Sequence, residues 1–167
     1  MGKGIKKTNA ARLLDELGIR YELTQFEADE ADLSAEAAAR AVGMPYDQVY
    51  KTLVARGDKT GVLEVCLPAG TELDLKALAH ASGNKSVALV PLKELQPLTG
   101  YIRGGCSPLG GKKEYPVYIH DGVASHEQIA INAGARGLLF IIAPSDLLKA
   151  TGGKLAPIAK QSALETQ

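Results

Sequence analysis

The sequence predicts an α+β fold, a single domain with a mixed β-sheet of about six or seven strands surrounded by helices. Strand-like segments outnumber long helical segments, and the two kinds do not alternate regularly along the chain. The 167 residues contain no internal repeat and no linker-like stretch, and 46% of them are hydrophobic. One core is therefore expected within residues 1–167, with its ordered part over about 8–160.

Capping residues define the first two helices. Thr8 and Ser34 can accept hydrogen bonds at a helix start, and Gly18 and Gly43 suit the left-handed residue after a helix. Between these helices, apolar residues alternate as in a strand, and an acidic stretch forms a solvated loop. The expected elements are a helix over 9–17, a strand over 19–26, the loop 27–32 and a helix over 34–42.

A hairpin dominates the middle of the chain. The turn Gly57-Asp-Lys-Thr60 joins two apolar, β-branched stretches, and Pro91 suits the first turn of a short helix. The expected elements are strands over 48–56 and 61–68, a helix over 71–81, a strand over 87–90 and a short helix over 91–96.

The rest of the chain follows a glycine-rich segment and is expected to contain three strands and one helix. Gly152 and Gly153 would end that helix, and the residues after Ile158 are expected to be frayed. The expected elements are strands over 116–120, 129–133 and 137–142 and a helix over 144–150.

Composition excludes several classes of protein. The net charge is zero, which disfavours a long basic face for nucleic acid, although basic residues around the glycine-rich segment could form a small patch. No apolar run is long enough to span a membrane, and the basic residues 1–7 lack the apolar region of a signal peptide. Two cysteines make neither a disulfide framework nor a zinc pattern. We expect a cytoplasmic protein.

The segment Thr99–Lys113 concentrates the unusual chemistry. Five of its 15 residues are glycine, including the doublets Gly104-Gly105 and Gly110-Gly111. Such a loop can direct several main-chain N–H groups at one point and so form an anion or oxyanion site. The alternative is a glycine-rich turn between two strands, because the glycine spacing fits neither nucleotide-binding fingerprint.

Lys51 is the first candidate side chain. Strand geometry places it on the same face as Val49, Leu53 and Ala55. An ammonium on an apolar face either extends into water at the sheet rim or meets an anion in a cleft. Both interpretations remain open from the strand alone.

No side chain stands out as a nucleophile or as an acid–base pair. Cys106 is conceivable as a nucleophile but has no base at a fixed spacing, and Cys66 lies in an apolar strand typical of a core. His120 and His126 flank a turn without the spacing of a triad or a metal site. An enzyme of this sequence could work by positioning and oxyanion stabilisation, with the substrate supplying the nucleophile.

Four stretches together resemble the YbaK/EbsC family of aminoacyl-tRNA deacylases, which is related to the editing domain of bacterial prolyl-tRNA synthetases. The resemblance covers about residues 8–160. It implies a single α+β domain with a mixed, partly barrel-like sheet. The stretches are Asp47-Gln-Val-Tyr-Lys-Thr-Leu53, Leu73-Asp-Leu-Lys76, the segment 99–113, and Gly134-Ala-Arg-Gly-Leu138.

The resemblance also implies an activity: removal of a wrong amino acid from tRNA, most often cysteine from tRNA(Pro), with the substrate thiol closing to a thiolactone. It implies no metal and no organic cofactor, and prolyl-tRNA synthetase as a possible partner. The catalytic residues implied are Lys51, Gly104, Gly105, Cys106, Ser107 and Pro108. Substrate binding is assigned to Phe26, Asn132 and Gly134, and tRNA binding to Arg103, Lys112, Lys113 and Arg136.

Three positions depart from the family pattern. Phe26 stands where cysteine-specific members carry tyrosine, Asn132 replaces a serine, and Leu139 replaces an aspartate. Changed polar groups alter which side chain a pocket can bind. The reaction class is therefore a firmer prediction than the amino acid, and a deacylase for another small amino acid such as alanine is an alternative. Two further alternatives are a non-catalytic module that binds a nucleotide or aminoacyl-adenosine, and a hydrolase that uses Cys106.

Overall fold

One strand, Val49–Gly57, lies at the centre of the fold because it pairs with three others. The computed structural model describes residues 6–162. The strands in this range are β1 (Glu22–Gln25), β2 (Val49–Gly57), β3 (Gly61–Pro68), β4 (Thr71–Leu73), β5 (Val87–Leu89), β6 (Val117–His120), β7 (Ile129–Ala135), β8 (Leu138–Ile142), β9 (Lys154–Ala156) and β10 (Ala159–Gln161).

Five α-helices lie within residues 6–162, and the capping residues act as predicted. The side chains of Thr8 and Ser34 accept from the main-chain N–H groups of Ala11 and Ala37. Gly43 ends the second helix in the left-handed conformation, with φ of 72°. The helices are α1 (Asn9–Glu16), α2 (Ala35–Val42), α3 (Leu75–Ser82), α4 (Leu95–Thr99) and α5 (Pro144–Thr151).

The main sheet contains eight strands among the described residues. Its order is β1-β8-β7-β2-β3-β6-β9, and β5 pairs with the end of β2. Strand pairs β2–β7, β3–β6 and β6–β9 are parallel, and the remaining pairs are antiparallel. The α+β class and the mixed sheet are thus confirmed, with somewhat more strands than predicted.

A gap in strand pairing opens along one edge of β2. That edge pairs with β7 only at Val49 and Tyr50, and with β5 only from Ala55 to Gly57. The register of β7 with β8 shifts between Asn132 and Ala135, which marks a β-bulge. On that edge, residues 51–53 of β2 therefore have no strand beside them, while the carbonyl of Val54 accepts from the N–H of Val90 at 3.0 Å.

Three apolar clusters pack the helices on the sheet. The largest joins α1 and α5 to strands β6, β7 and β8, with Leu14, Phe140 and Leu147 fully buried. A second buries Leu78 of α3 against β2 and β3. A third packs Ala39 of α2 on Val49 and Leu139. Helix α2 is thereby held beside the gap in the sheet.

Two sequence-based expectations are wrong in the C-terminal and central regions. Residues 71–73 form a strand, and the helix begins only after Asp74, whose side chain caps it. The segment after Ile158 was expected to be frayed, but its residues up to Gln161 form β10, which pairs with β4. Strands of three residues carry too little periodicity to be detected in sequence. Residues 163–167, and residues 1–5 of the basic N-terminal stretch, lie outside the described range.

Candidate active site

A cavity of about 400 Å³ occupies the gap beside β2. Lys51, Gly104 and Cys106 all line it, so the structure brings together the two segments that the sequence analysis singled out. Residues of α2 and residues just before it also line the cavity. Apolar side chains dominate the lining, among them Phe26, Leu33, Ala38, Val49, Leu53, Leu89, Leu92 and Leu139.

Lys51 lines this cavity, and its ammonium is held by a main-chain carbonyl. Its Nζ donates to the main-chain carbonyl of Thr71 at 2.5 Å. Thr71 begins β4, and its hydroxyl donates to the carbonyl of Pro68 at 2.7 Å. Because an ammonium has three N–H donors, the bond to Thr71 leaves two for a ligand.

The glycine-rich loop owes its shape to Gly104 and to contacts with the β7–β8 hairpin. Gly104 has φ of 84°, a conformation that favours glycine. The carbonyl of Gly104 accepts from Nδ2 of Asn132 at 3.0 Å, and that of Arg103 accepts from Nε of Arg136 at 2.9 Å. Two successive carbonyls of the loop are therefore bound by side chains of the hairpin.

Two main-chain N–H groups of the loop have no acceptor in the described part of the chain and are available to a ligand. Within residues 6–162, the N–H groups of Gly104 and Cys106 donate no hydrogen bond to another main-chain or side-chain atom. Both residues line the cavity. Unpaired main-chain N–H groups at a cavity wall are suited to bind a carbonyl oxygen and the negative charge that develops on it.

Comparison with known proteins agrees with this geometry. The sequence profile of the aminoacyl-tRNA editing domain matches residues 29–150. The chain belongs to this family. A relative from Enterococcus faecalis, named "Putative Cys-tRNA(Pro)/Cys-tRNA(Cys) deacylase EbsC", is 43% identical over 153 residues, which are 92% of this chain and 93% of that protein.

Two solved structures are similar to this editing domain. One, described as "a putative trans-editing enzyme for prolyl tRNA synthetase", has a TM-score of 0.78 and 26% identity, and the match covers 93% of this chain and 99% of that chain. The hypothetical protein APE2540 has a TM-score of 0.83 at 21% identity, covering 92% and 100% of the two chains, and this match shows the shared fold.

Three residues of the predicted catalytic loop do not line the cavity of the editing domain. The N–H of Gly105 donates to the carbonyl of Ile102 at 2.9 Å, which closes a turn. The Ser107 hydroxyl is buried and accepts from the N–H of Leu109 at 3.2 Å. Pro108 is buried as well. These residues shape the loop from behind, while Gly104 and Cys106 face the cavity.

Cys106 is buried, with 8% of the residue exposed. Burial raises the pKa of this thiol to about 12, and the nearby Glu64 carboxylate acts in the same direction. A neutral thiol is a poor nucleophile. The chemistry of this site therefore disfavours the hydrolase that would use Cys106.

The predicted substrate-binding residues have different surroundings. Phe26 and Asn132 line the cavity. The amide of Asn132 is fully engaged, because its Oδ1 also accepts from the N–H groups of Gly134 and Ala135 at 2.6 and 3.1 Å. Gly134 does not line the cavity, and a Cβ there would lie 3.1 Å from the Tyr101 ring.

Of the four predicted tRNA-binding cations, three lie at or beside a second cavity and one does not. Arg103 and Arg136 lie together beside the cavity, and both line a second, adjacent one. Nζ of Lys112 donates to the carbonyl of Pro97, another residue of that second cavity, at 3.2 Å. Lys113 lies over the Tyr115 ring at 5.9 Å and lines neither cavity.

Two carboxylates near the site do not follow from the sequence analysis. Glu36 of α2 lines the cavity and accepts from the N–H of Gly70, which ties α2 to the turn beside Thr71. Glu64 is buried in β3, and desolvation raises its pKa to about 7. A lone glutamate in the apolar run Val62-Leu-Glu-Val-Cys-Leu67 was a signal that could have identified it.

Neither a metal-binding cluster nor a membrane-spanning helix occurs in the described part of the chain. Within residues 6–162, no group of three or more His, Cys, Asp or Glu side chains could hold a metal ion. Nδ1 of His120 instead accepts from the N–H of Ala159 at 3.2 Å. No helix in this range is long and apolar enough to cross a membrane.

Proposed function

We propose that this chain is a single-domain, trans-editing aminoacyl-tRNA deacylase, and that its leading substrate is cysteine attached to tRNA(Pro). Two similar proteins support this substrate: the 43%-identical relative, which is named for it, and the solved structure described as a trans-editing enzyme for prolyl tRNA synthetase. The observation that carries the proposal is that Lys51 and the loop around Gly104 line one cavity.

The geometry suggests how the aminoacyl ester would lie. The ester carbonyl accepts from the N–H groups of Gly104 and Cys106, which have no other acceptor within residues 6–162. The two remaining donors of Lys51 bind the phosphate or ribose of the terminal adenosine. The amino acid side chain then points into the apolar part of the cavity.

The substrate thiol supplies the nucleophile in this mechanism. Its sulfur attacks the ester carbonyl carbon, and the resulting oxyanion is held by the loop N–H groups. When the intermediate collapses, the carbon–oxygen ester bond breaks and the thiol proton passes to the leaving ribose oxygen. The products are a cysteine thiolactone and tRNA with a free terminal hydroxyl, and no side chain of the protein forms a covalent bond.

The apolar part of the cavity favours an uncharged side chain. Ala38, Val49, Leu53 and Leu139 line it, and Leu139 occupies the position where the family pattern has an aspartate. Alanine is accordingly the second candidate substrate, with water or a ribose hydroxyl as nucleophile.

Delivery of charged tRNA completes the proposal. The net charge of the chain is zero, so its own attraction for the body of a tRNA is weak. Prolyl-tRNA synthetase, which produces the mischarged tRNA(Pro), is the partner we propose, and the cytoplasm is the compartment.

Purified protein incubated separately with Cys-tRNA(Pro), Ala-tRNA(Pro) and Pro-tRNA(Pro), with products identified by mass, tests the proposal. We expect rapid release from Cys-tRNA(Pro) as the thiolactone or its hydrolysis product, and no release from Pro-tRNA(Pro). Faster release of alanine would instead assign the second substrate. Binding without release from any of the three would favour a non-catalytic module.

A further inference from the structure

A second cavity, of about 610 Å³, adjoins the candidate active site. Arg103, Leu33, Leu92 and Leu95 line both cavities, so the two lie next to each other on either side of these side chains. The loop that would hold the ester begins at Arg103, directly between them. A polymeric substrate whose end occupies the first cavity could therefore place its next unit in the second.

The charge of the second cavity suits a phosphate group. Lys93, Arg103 and Arg136 contribute three cations, and Glu30 is the one carboxylate in its lining among the described residues. Glu30 lies 4.0 Å from the Arg136 guanidinium and its side chain is 86% exposed, so solvent screens it strongly. Glu94, next to Lys93, is turned away and bound to Arg56 at 2.6 Å.

The guanidinium of Arg136 is held in place before any ligand binds. Its Nε donates to the carbonyl of Arg103, which joins the two arginines through the main chain. Its remaining N–H groups include those facing Glu30. A planar guanidinium fixed in this way can form paired hydrogen bonds to phosphate oxygens.

Apolar side chains at the same place could contact a base. Leu92 and Ile102, which line the second cavity, are 60% and 42% exposed. Exposed aliphatic side chains beside cations offer an apolar contact to the face of a base and positive charge to the anionic backbone, although they lack the stacking surface of an aromatic ring.

We infer that the second cavity binds the nucleotide that precedes the terminal adenosine of the RNA, with the connecting phosphate against Lys93, Arg103 and Arg136 and the base against Leu92 and Ile102. This inference rests on the proposed function, because it requires the terminal adenosine in the first cavity. It assigns to this cavity the binding of the RNA end, which the zero net charge of the chain does not otherwise favour.

Binding of stable analogues tests the inference without the chemical step. The probes are adenosine carrying an amide-linked cysteine at its 3′ position, and the same compound extended by one 5′ cytidylate. We expect the extended analogue to bind about tenfold more tightly, the effect of one charge-assisted hydrogen bond to phosphate. The quantity measured is the ratio of the two dissociation constants by titration calorimetry.

Variants of residues that line the second cavity test whether the tighter binding of the extended analogue arises there. In Lys93→Ala the ratio should fall from about ten towards two, and Lys93→Arg should preserve most of it, since a charge-assisted bond carries the gain. Lys149→Ala is the matched control, because Lys149 is an exposed lysine on α5 that lines neither cavity, and its ratio should stay near that of the unmodified chain.

Two results would overturn the inference. A ratio near one in the unmodified chain means that the added nucleotide makes no contact. A high ratio that survives Lys93→Ala and also Arg136→Ala places the contact elsewhere. If the protein still deacylates Cys-tRNA(Pro) in either case, only the second site is refuted. Failure of both deacylation and analogue binding refutes the proposed function and the second site with it.

Discussion

Asn132 Nδ2 donates to the main-chain carbonyl of Gly104 at 3.0 Å, and the same nitrogen donates to the carbonyl of Ala135. Oδ1 of Asn132 holds the N–H groups of the bulge on the other side. One amide thus ties the glycine-rich loop to β7. The carbonyl of Arg103, which shares a peptide plane with the N–H of Gly104, is held in turn by Arg136, so the main chain on both sides of Gly104 is fixed.

Asn132→Asp should therefore impair deacylation while keeping the side-chain shape. The aspartate still accepts from the bulge but cannot donate to Gly104, and its second oxygen repels that carbonyl. We expect the single-turnover rate to fall about 10²-fold, the effect of displacing one oxyanion donor. Asn9→Asp makes the same chemical change at an exposed position of α1 and should leave the rate unchanged. An unaltered rate in Asn132→Asp would contradict the role of the Asn132 hydrogen bonds in holding the loop.

Gly104→Ala tests the loop itself. The variant must adopt φ of 84° and place its Cβ 3.1 Å from Leu33, so the loop should shift and deacylation should fall about 10²-fold. Gly152→Ala is a matched control, because Gly152 has φ of 67° with no atom within 4 Å of an added Cβ. Both variants should lose about 1 kcal/mol of unfolding free energy, but only Gly104→Ala should lose activity. Equal activities would make the loop a simple connector.

Cys106→Ala should retain most of the deacylation rate. The thiol is buried and its pKa is raised to about 12, so it is neutral at physiological pH and unsuited to attack. Steady-state kinetics on Cys-tRNA(Pro) provide the measurement. A rate loss of several hundredfold in a variant that is still folded would instead support the alternative in which the protein is a hydrolase that uses Cys106 as its nucleophile.

Glu64 predicts how stability depends on pH. Its folded pKa of about 7 lies above the ordinary value of 4.5 because burial disfavours the carboxylate. As pH rises from about 4.5 to about 7, the unfolded chain therefore loses this proton before the folded chain does. The free energy that the protonated Glu64 contributes to folding stability is fully present below this pH window. It is lost as the pH rises across the window, by about 3 kcal/mol in total.

Urea unfolding at pH 5 and pH 8 measures most of this loss, since a part of it has already occurred at pH 5. Glu64→Gln should reduce the difference between the two pH values by roughly 2 to 3 kcal/mol, because the amide does not titrate. Glu127→Gln changes an exposed glutamate in the same way and should leave the difference as it is. An identical pH dependence in Glu64→Gln and the unmodified chain would show that the carboxyl ionises normally.

Local sequence signals predicted most of the helices and strands. Thr8, Ser34 and Gly43 marked helix ends because a cap is a contact between near neighbours in the chain. The hairpin of β2 and β3 was found for the same reason. Strands β4, β9 and β10 were missed, because their pairing joins segments distant in sequence and each has only three residues.

The candidate site was predictable in part. Lys51 and the glycine-rich segment were chosen from residue type and spacing, and the structure places them on one cavity. The partners that hold them were not predictable: Thr71 for the Lys51 ammonium and Asn132 for the Gly104 carbonyl lie 20 and 28 residues away in sequence. The sequence also could not show that Gly105, Ser107 and Pro108 lie behind the loop, because that depends on how the loop packs on β7 and β8.

The single-turnover rate of Cys-tRNA(Pro) deacylation by Lys51→Ala is the most direct test of the proposed site. Lys51 lies at a cavity wall with its head group on Thr71, so its loss should cost little folding stability, while the rate should fall at least about 10²-fold. Lys149→Ala, an exposed lysine outside the cavity, is the control for loss of charge. A folded Lys51→Ala protein with the rate of the unmodified chain would contradict the claim that this ammonium and the glycine-rich loop act on one ester.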